Sequence, residues 1–158
     1  MRLLLAVLLA ATATAAGWRL TVSAAERSGP CTTGLPDGRS LITGGGDTPL
    51  ATTQYFAPGG LTLSADSMLE ARTGHICVGL PNNTVLVAGG IGESKSPTNS
   101  AEVFHIDSGQ WTSTGAMLAA RTGASATLLA DGRALVVGGQ IDGQPARTLE
   151  IYDPARPL

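Results

Sequence analysis

Three arginines that share one position of a repeated stretch are the first candidates for charged chemistry in this chain. They are Arg27, Arg72 and Arg121. A second repeat position carries an amide in the first copy and carboxylates in the later two, namely Gln54, Glu102 and Glu150. A row of arginines suits an anionic ligand, whereas a position repeated in every copy favours a packing role, since buried charges need partners. We therefore expect these residues to be structural.

The two histidines are the other candidates for chemistry. His75 and His105 fall on predicted strands or strand edges, where a histidine is usually hydrogen-bonded within the fold. No Ser/His/Asp combination has the spacing of a nucleophilic triad. Glycines 44–46 do not form a phosphate loop, because no lysine follows them and no helix is predicted there. The sequence predicts no catalytic, cofactor-binding or metal-binding residue.

These side chains are positioned by a stretch that is written three times. The copies span 27–45, 72–90 and 121–139, and each keeps the same spacing from its arginine to a closing pair of glycines. The pairs are Gly44–Gly45, Gly89–Gly90 and Gly138–Gly139. Offsets of 45 residues (72 minus 27) and 49 residues (121 minus 72) are typical of repeat architectures.

One copy of the repeat reads as four short strands with tight turns. The apolar runs 76–80 and 85–88 flank a Pro-Asn-Asn turn, and the runs 101–106 and 111–114 flank an Asp-Ser-Gly turn. β-branched residues favour the strand conformation, and Trp111 opens the fourth strand. Helical periodicity is absent outside the N-terminal segment, so the predicted fold class is all-β.

Polar loops follow the glycine pairs at equivalent places, in 47–51, 92–99 and 140–145. Loops held by a rigid scaffold are the usual place for binding. We expect function where the copies differ, which is mainly here. The candidate binding residues are Asp47, Thr48, Glu93, Ser94, Lys95, Ser96, Asp142 and Gln144.

Residues 1–16 predict a secretory signal peptide, with cleavage as late as residue 25. Arg2 precedes an apolar run rich in Leu and Ala, and small residues follow it. A membrane anchor is the alternative, but the run is short for a span. We expect a secreted or periplasmic protein without a membrane segment after processing. Cys31 and Cys77 could pair in such an oxidising compartment, although their distant positions do not establish a bond.

The charge of the chain argues against nucleic acid as a partner. Charged residues make up 14% of the 158 residues, and the formal net charge is -2 with no basic block. Nucleic-acid binding depends on clustered positive charge, so it has no support here.

The repeated residues resemble the kelch family of β-propeller proteins. The family pattern is a Gly-Gly pair that ends a strand, then a Tyr-Asp-type pair, then a tryptophan. The second copy carries Gly89–Gly90, Phe104–His105 and Trp111 at these places. The third copy carries Tyr152–Asp153, whereas the first has Phe56–Ala57 and lacks the tryptophan.

The resemblance implies about three four-stranded antiparallel blades in an incomplete ring, within a propeller segment spanning 17–158. The repeats would cover about 27–71, 72–120 and 121–158. The Met-x-x-x-Arg-Thr-Gly junctions at 68–74 and 117–123 resemble those of the bacterial, galactose-oxidase-like branch of kelch proteins.

The function that this resemblance implies is a secreted binding or scaffold module, whose partner is a protein or a carbohydrate. One alternative is a fragment or subunit of a carbohydrate-acting enzyme, either galactose-oxidase-like or a sugar epimerase. Galactose oxidase holds copper with tyrosine, cysteine and histidine, and the chain has these residue types in Tyr55, Tyr152, Cys77, His75 and His105. Their positions match no copper motif, so no cofactor is expected. Another alternative is a truncated product without independent function.

Counting strands raises the question of how the ring closes. The third copy ends after its third strand, and residues 17–23, which include Trp18, are a candidate for the missing fourth strand from the other terminus. Alternatively, Trp18 belongs to the leader. Three blades are too few for a ring, since propellers have four to eight. The chain is then either a fragment or one half of a homodimer that completes a six-bladed ring.

Overall fold

Residues 27–156 are described by a computed structural model, and they are entirely β, as the sequence predicts. They form three antiparallel sheets, one for each copy of the repeat, and one small hairpin. This part of the chain contains no helix, so none here could cross a lipid bilayer. The predicted signal peptide and the candidate strand at 17–23 lie outside the described residues.

The first two copies each form a four-stranded sheet, which we call blade 1 and blade 2. Blade 1 consists of β1 (Cys31–Gly34), β2 (Ser40–Thr43), β3 (Thr53–Phe56) and β4 (Thr62–Ala65). Blade 2 consists of β5 (Ile76–Leu80), β6 (Thr84–Ala88), β7 (Ala101–His105) and β8 (Gln110–Thr114). Each strand pairs with the next one along the chain, so both blades are simple meanders. The prediction of four-stranded antiparallel blades is confirmed for these two copies.

The third copy forms a sheet of three strands, blade 3. Its strands are β9 (Ser125–Leu128), β10 (Ala134–Val137) and β13 (Leu149–Tyr152), in the order β13-β10-β9. No fourth strand pairs with β13 within residues 27–156, so β13 is an edge. The ring of blades is therefore incomplete here, as predicted.

One predicted loop is replaced by a hairpin. Within 140–145 the structure has β11 (Gln140–Ile141) and β12 (Gln144–Pro145), which pair with each other. Asp142 and Gly143 between them both have positive φ, at 50° and 73°. Two such residues form the tight turn whose twist matches paired strands, so this segment extends as a ribbon. Gln144 consequently lies on a strand rather than in a loop.

Blade 2 buries both of its faces, because side chains alternate across its strands. Its first face packs on blade 1 in a core made of Leu35, Leu41, Met68, Val85, Val87, Phe104 and Trp111. Its second face packs on blade 3 in a core made of Ile76, Val78, Leu80, Leu86, Ala88, Ala101, Val103, Ala134 and Val136. Complete burial of one such aliphatic or aromatic side chain stabilises the fold by about 2 kcal/mol.

The aromatic residues of the repeat anchor the first of these cores. The rings of Phe104 and Trp111 are 4.9 Å apart between centroids, in a tilted arrangement that aromatic pairs favour. The Trp111 indole Nε1 donates a hydrogen bond of 2.9 Å to the Asp66 carbonyl, in the segment that follows blade 1. Thr62 occupies the position of Trp111 in blade 1, because it pairs with Phe56 as Trp111 pairs with Phe104.

Backbone contacts join consecutive blades at what we call the blade junction. Here the glycine pair of one blade meets the Arg-Thr-Gly segment that begins the next. The Gly45 amide donates to the Arg72 carbonyl at 2.9 Å, and the Gly90 amide donates to the Arg121 carbonyl at 2.8 Å. A Cβ atom at Gly89 would lie 2.6 Å from the Arg121 carbonyl oxygen. Only glycine therefore permits the two backbones to approach this closely.

A disulfide reinforces the contact between blades 1 and 2. It joins Cys31 on β1 to Cys77 on β5, across a sequence separation of 46 residues. The pairing that the sequence left open is therefore present. It links the innermost strands of two neighbouring blades covalently.

Loss of this disulfide should lower the free energy of unfolding by up to about 4 kcal/mol, because a cross-link across a loop of this length restricts the unfolded chain. The measurement is urea unfolding of the oxidised protein and of a Cys31→Ser/Cys77→Ser double variant. Wild-type protein kept reduced serves as the control and should match the variant. Equal unfolding midpoints for the oxidised protein and the variant would contradict the expectation.

Candidate functional site

The Arg72 side chain is completely buried, and both of its terminal nitrogens have several partners. Nη1 donates to the carbonyls of Gly89 at 3.0 Å and Ser100 at 3.2 Å. Nη2 donates to Glu102 Oε1 at 2.6 Å, to the Ser100 hydroxyl at 3.1 Å and to Glu70 Oε2 at 3.3 Å. This arginine therefore joins the start of blade 2 to its β6 and β7 strands, and it faces no open surface.

The carboxylate of Glu102 also holds the segment that links blade 1 to blade 2. It accepts hydrogen bonds from the backbone amides of Leu69 at 2.6 Å and Glu70 at 3.0 Å. Because it is shared between these amides and a guanidinium, all of its charge is compensated inside the fold. One buried side chain thus fixes both an arginine and the path of the chain between two blades.

The same arrangement recurs one blade further on. Arg121 donates to the carbonyls of Gly138 and Thr148, and its Nη2 lies 2.6 Å from Glu150 Oε1. Glu150 in turn accepts from the backbone amides of Leu118 and Ala119. Its side chain is 15% exposed, compared with 2% for Glu102, because Glu150 lies on the edge strand of blade 3.

The first copy keeps the arginine without an acidic residue at the second position. Arg27 donates to the carbonyls of Gly44 and Thr52, while Gln54 stands where the later copies have glutamate. Partial burial lowers the pKa of Arg27 from its ordinary value. The three arginines therefore share their carbonyl contacts, but only Arg72 and Arg121 have carboxylate partners on the third strand of their blades.

Replacement of Glu102 by glutamine should destabilise the protein by about 3 to 5 kcal/mol, because a buried guanidinium is left without its counter-charge. Glu150→Gln is the matched comparison and should cost less, since water reaches that pair. The measurement is the free energy of unfolding in urea for both variants. A loss for Glu102→Gln no larger than that for Glu150→Gln would contradict the role of burial.

His75 is buried at the junction of blades 1 and 2. Its Nε2 shares a hydrogen bond of 2.8 Å with the Thr43 hydroxyl, and its Nδ1 has no partner among the described residues. Burial, together with the positive charges of Arg72 and Arg27, lowers the pKa of His75 from 6.5 to about 3. The imidazole is therefore neutral at physiological pH, which is the state expected of a packed histidine.

Acidification should destabilise the fold through His75. Its pKa is lower in the folded than in the unfolded protein, so the unfolded chain gains the proton first and stability falls as pH drops from about 6.5 towards 3. Between pH 7 and pH 4 this amounts to about 3 kcal/mol. The measurement is urea unfolding at both pH values for wild type and His75→Gln. Carboxylates titrate in both proteins, so an equal pH dependence in the two would contradict this contribution.

The candidate loops and the links between blades lie at the same edge of the sheets, which we call the loop face. The Met68 amide donates to the Ala51 carbonyl at 2.9 Å, and the Met117 amide donates to the Asn99 carbonyl at 2.8 Å. The loop face therefore comprises the loops 46–52, 91–100 and 139–148 and the links 66–74 and 115–123. These main-chain hydrogen bonds attach each link to the loop beside it, so they fix the relative positions of loops and links on this face.

All eight candidate binding residues reach solvent on this face. The exposed ones include Glu93, Ser94, Lys95, Ser96, Thr48, Asp142 and Gln144. Lys95 stands in a tight turn with a φ of 59°, and its amide donates to the Gly92 carbonyl at 2.9 Å. Asp47 is also exposed but accepts a hydrogen bond of 2.7 Å from the Ser28 hydroxyl. The loops thus present both signs of charge without concentrating either.

Two leucines on the loop face were missed in the sequence analysis. Leu69 is 60% exposed and Leu118 is 94% exposed, and they occupy equivalent positions in the two links. Their backbone amides are bound by Glu102 and Glu150, so the side chains are held outwards while the chain beneath them is fixed. The sequence does contain a signal for them, because each junction methionine is followed directly by a leucine. Since these links are not strands, the leucines belong to no sheet face that would bury them.

The residue types that suggested copper are not brought together. His75 precedes β5 at the loop face, whereas His105 ends β7 at the opposite edge and bonds to the Thr112 hydroxyl. Cys77 is bonded to Cys31, and Tyr55 packs against the Arg39 guanidinium at 4.0 Å from its ring centroid. Within residues 27–156 no group of three or more His, Cys, Asp or Glu side chains is placed to hold a metal ion.

Comparison with known families identifies the central blade. Residues 72–118, which contain blade 2 and the start of the following link, match the family model of the kelch motif. The match includes the glycine pair that forms the blade junction and the Phe104–Trp111 pair of the core. No curated protein matches the chain.

Proposed function

We propose that this chain, a kelch-repeat protein, binds another protein through its loop face. The observation that carries the proposal is the pair Leu69 and Leu118. Both are large apolar side chains exposed on one face, beside loops that expose charged and hydroxyl groups. An apolar centre with a polar rim is the usual composition of a protein-binding surface.

The rigidity of the links supports this role. The amides of the two exposed leucines are bonded to buried or half-buried carboxylates, so their positions are set before any partner arrives. Binding then requires little ordering of the backbone, and more of the contact energy contributes to affinity. A single exposed leucine is ordinary on a protein surface. Two exposed leucines at equivalent positions of rigid links call for an explanation.

We also propose that the protein acts outside the cytoplasm, as a secreted or periplasmic protein. The disulfide between Cys31 and Cys77 supports an oxidising compartment, because such bonds are rare where thiols are kept reduced. The signal peptide predicted for residues 1–16 points in the same direction. Export would place the loop face in contact with extracellular or periplasmic proteins.

Carbohydrate is the other class of ligand to be considered, and it favours a different part of the loop face. A sugar would be recognised mainly by hydrogen bonds from the polar loop tips, such as Glu93 and Lys95, rather than by two leucines. The two ligand classes can therefore be separated by variants. No observation on the described residues favours the enzyme alternative.

Replacement of Leu69 and Leu118 by serine should abolish partner binding while leaving the fold intact. Loss of two central apolar contacts should weaken the complex at least about 30-fold. The measurement is recovery and affinity of partners from the exported protein fraction with wild type, the double variant and a Leu61→Ser control. Leu61 is 58% exposed in the β3–β4 turn, at the opposite edge of blade 1.

Equal loss of binding in the Leu61→Ser control would contradict the assignment to the loop face. A glycan that binds independently of both leucines, and is lost on replacing Glu93 and Lys95, would contradict the assignment of a protein partner. Circular dichroism and thermal unfolding of each variant confirm that the blades remain folded.

A further inference from the structure

The outer face of blade 3 has the character of an internal blade contact that is left uncovered. In blade 2 the corresponding face, with Leu86, Ala88, Ala101 and Val103, is buried against blade 3. The equivalent side chains of blade 3 are partly or largely exposed: Leu135, Val137, Leu149 and Ile151. Three of them count among the exposed large apolar residues of the described chain.

Backbone groups at the two ends of the array are complementary to each other. At each internal junction the second glycine of a pair donates to the next arginine carbonyl, as Gly90 does to Arg121. A second chain of hydrogen bonds runs from Gly74 to the Gly29 carbonyl and from Gly123 to the Gly74 carbonyl. If both patterns continued by one blade, the Gly139 amide of blade 3 would donate to an Arg27 carbonyl of blade 1. The Gly29 amide of that blade 1 would donate to the Gly123 carbonyl of blade 3.

The space beside Gly138 fits the same continuation. A Cβ atom at Gly89 would lie 2.6 Å from the Arg121 carbonyl oxygen of the next blade. The equivalent Gly138 keeps the positive φ, at 68°, but a Cβ there would meet nothing within 4 Å among the described residues. The glycine conformation of a blade junction is thus preserved where no following blade is present.

The edge of blade 3 also has a cavity at the position where an aromatic residue packs in blade 2. A cavity of about 60 Å³ lies between blades 2 and 3 beside β13, and its lining includes Leu86, Gly115, Met117, Ile151 and Tyr152. Gly115 occupies the position of Asp66, whose carbonyl accepts the Trp111 indole, and Tyr152 occupies the position of Phe104, which packs on that indole. A strand added to β13 with a tryptophan opposite Tyr152 would therefore repeat the contacts of Trp111.

We propose that a second copy of this chain covers blade 3 with its own blade 1, and that two such contacts close a two-fold ring of six blades. In this ring, residues 17–23 of the second copy add the fourth strand to β13 and place Trp18 in the cavity. Trp18 precedes Arg27 by nine residues, much as Trp111 precedes Arg121 by ten. Strand addition to an open sheet edge is a common mode of association.

In this ring, residues 17–23 of the second copy supply the strand, rather than those of the same copy. Residues 17–23 lead into Arg27 and so belong beside the blade that precedes blade 1, whereas blade 3 is separated from blade 1 by blade 2. A three-bladed ring would be required for one chain to supply its own strand, and propellers have at least four blades. Two copies reach six blades with one repeated interface, as symmetric dimers do.

An engineered disulfide tests this contact directly. Ser125 on β9 is equivalent to Cys31 on β1. Ser125 pairs with Val137 and Cys31 pairs with Thr43, and each of these partners directly precedes the glycine pair of its blade. Thr32 is equivalent to Cys77 in the same way. Thr32 pairs with Ile42 and Cys77 pairs with Val87, and each partner lies two residues before the glycine pair of its blade. In the proposed ring, a Ser125→Cys/Thr32→Cys variant therefore reproduces the native bond between two chains, and oxidation should convert most of it to covalent dimer.

Each single variant is the matched control and should give little covalent dimer. Peptide mapping should find the bond between positions 125 and 32, with the native Cys31–Cys77 bond retained. Failure of the folded double variant to cross-link overturns the proposal.

Solution mass of the mature wild-type chain gives the second test. Sedimentation should find a dimer, and Trp18→Ala or Gly138→Ala should weaken it at least about 30-fold. The first change removes an aromatic contact from the interface, and the second adds a methyl group where the next blade's backbone would lie, as at Gly89. Gly132→Ala is a control outside the interface. A monomeric wild type, an open series of larger assemblies, or a dimer indifferent to both variants each overturns the proposal. Partner binding through the loop face is not required for any of these results.

Discussion

The buried pairing of Arg72 with Glu102 is the interaction on which the arrangement of neighbouring blades depends. A guanidinium without a counter-charge is very costly inside a protein, so the carboxylate position on β7 is tightly constrained. The same carboxylate binds the amides of the preceding link, and the arginine binds the strand end that carries the glycine pair. Local strand geometry, the path of the link and the distance between blades are thereby coupled through one ion pair.

This coupling explains why the arginine and the glycine pair recur together. The arginine side chain bonds to the first glycine carbonyl of its own blade, and its backbone carbonyl accepts from the glycine pair of the blade before. A change at either position disturbs two blades at once. Where the third member of the set differs, as at Gln54, Arg27 keeps its contacts with the carbonyls of Gly44 and Thr52.

Much of the fold could be predicted from the sequence, because the repeat reports the same physical pattern three times. The strands of blade 2 lie within about one residue of the apolar runs, and the missing strand of blade 3 follows from counting. The hairpin at Gln140–Pro145 was not predicted, since its turn residues Asp142 and Gly143 lie within a segment too short and too polar to show strand periodicity. The sequence allowed the disulfide but did not establish it, because Cys31 and Cys77 are distant in the chain and are not equivalent repeat positions.

The candidate site could be predicted only in part, and Leu69 and Leu118 show why. Repetition of a residue predicts a packing role, which holds for Arg72 and Arg121 but not for two leucines that also repeat. What separates the two cases is solvent exposure, and exposure in an irregular link has no periodicity from which to infer it. The polar loop residues were easier to find, because loops after glycine pairs lie at the surface.

The disulfide makes the three blades unequal in a way that their shared repeat conceals. Blades 1 and 2 are tied covalently as well as by their common core, whereas blade 3 is held by packing and hydrogen bonds alone. Partial opening of a protein follows its least stable cooperative unit. In an isolated copy, blade 3 should therefore open and exchange its amide hydrogens while the other two blades remain closed, which makes it the point of entry for proteolysis until a second copy covers it.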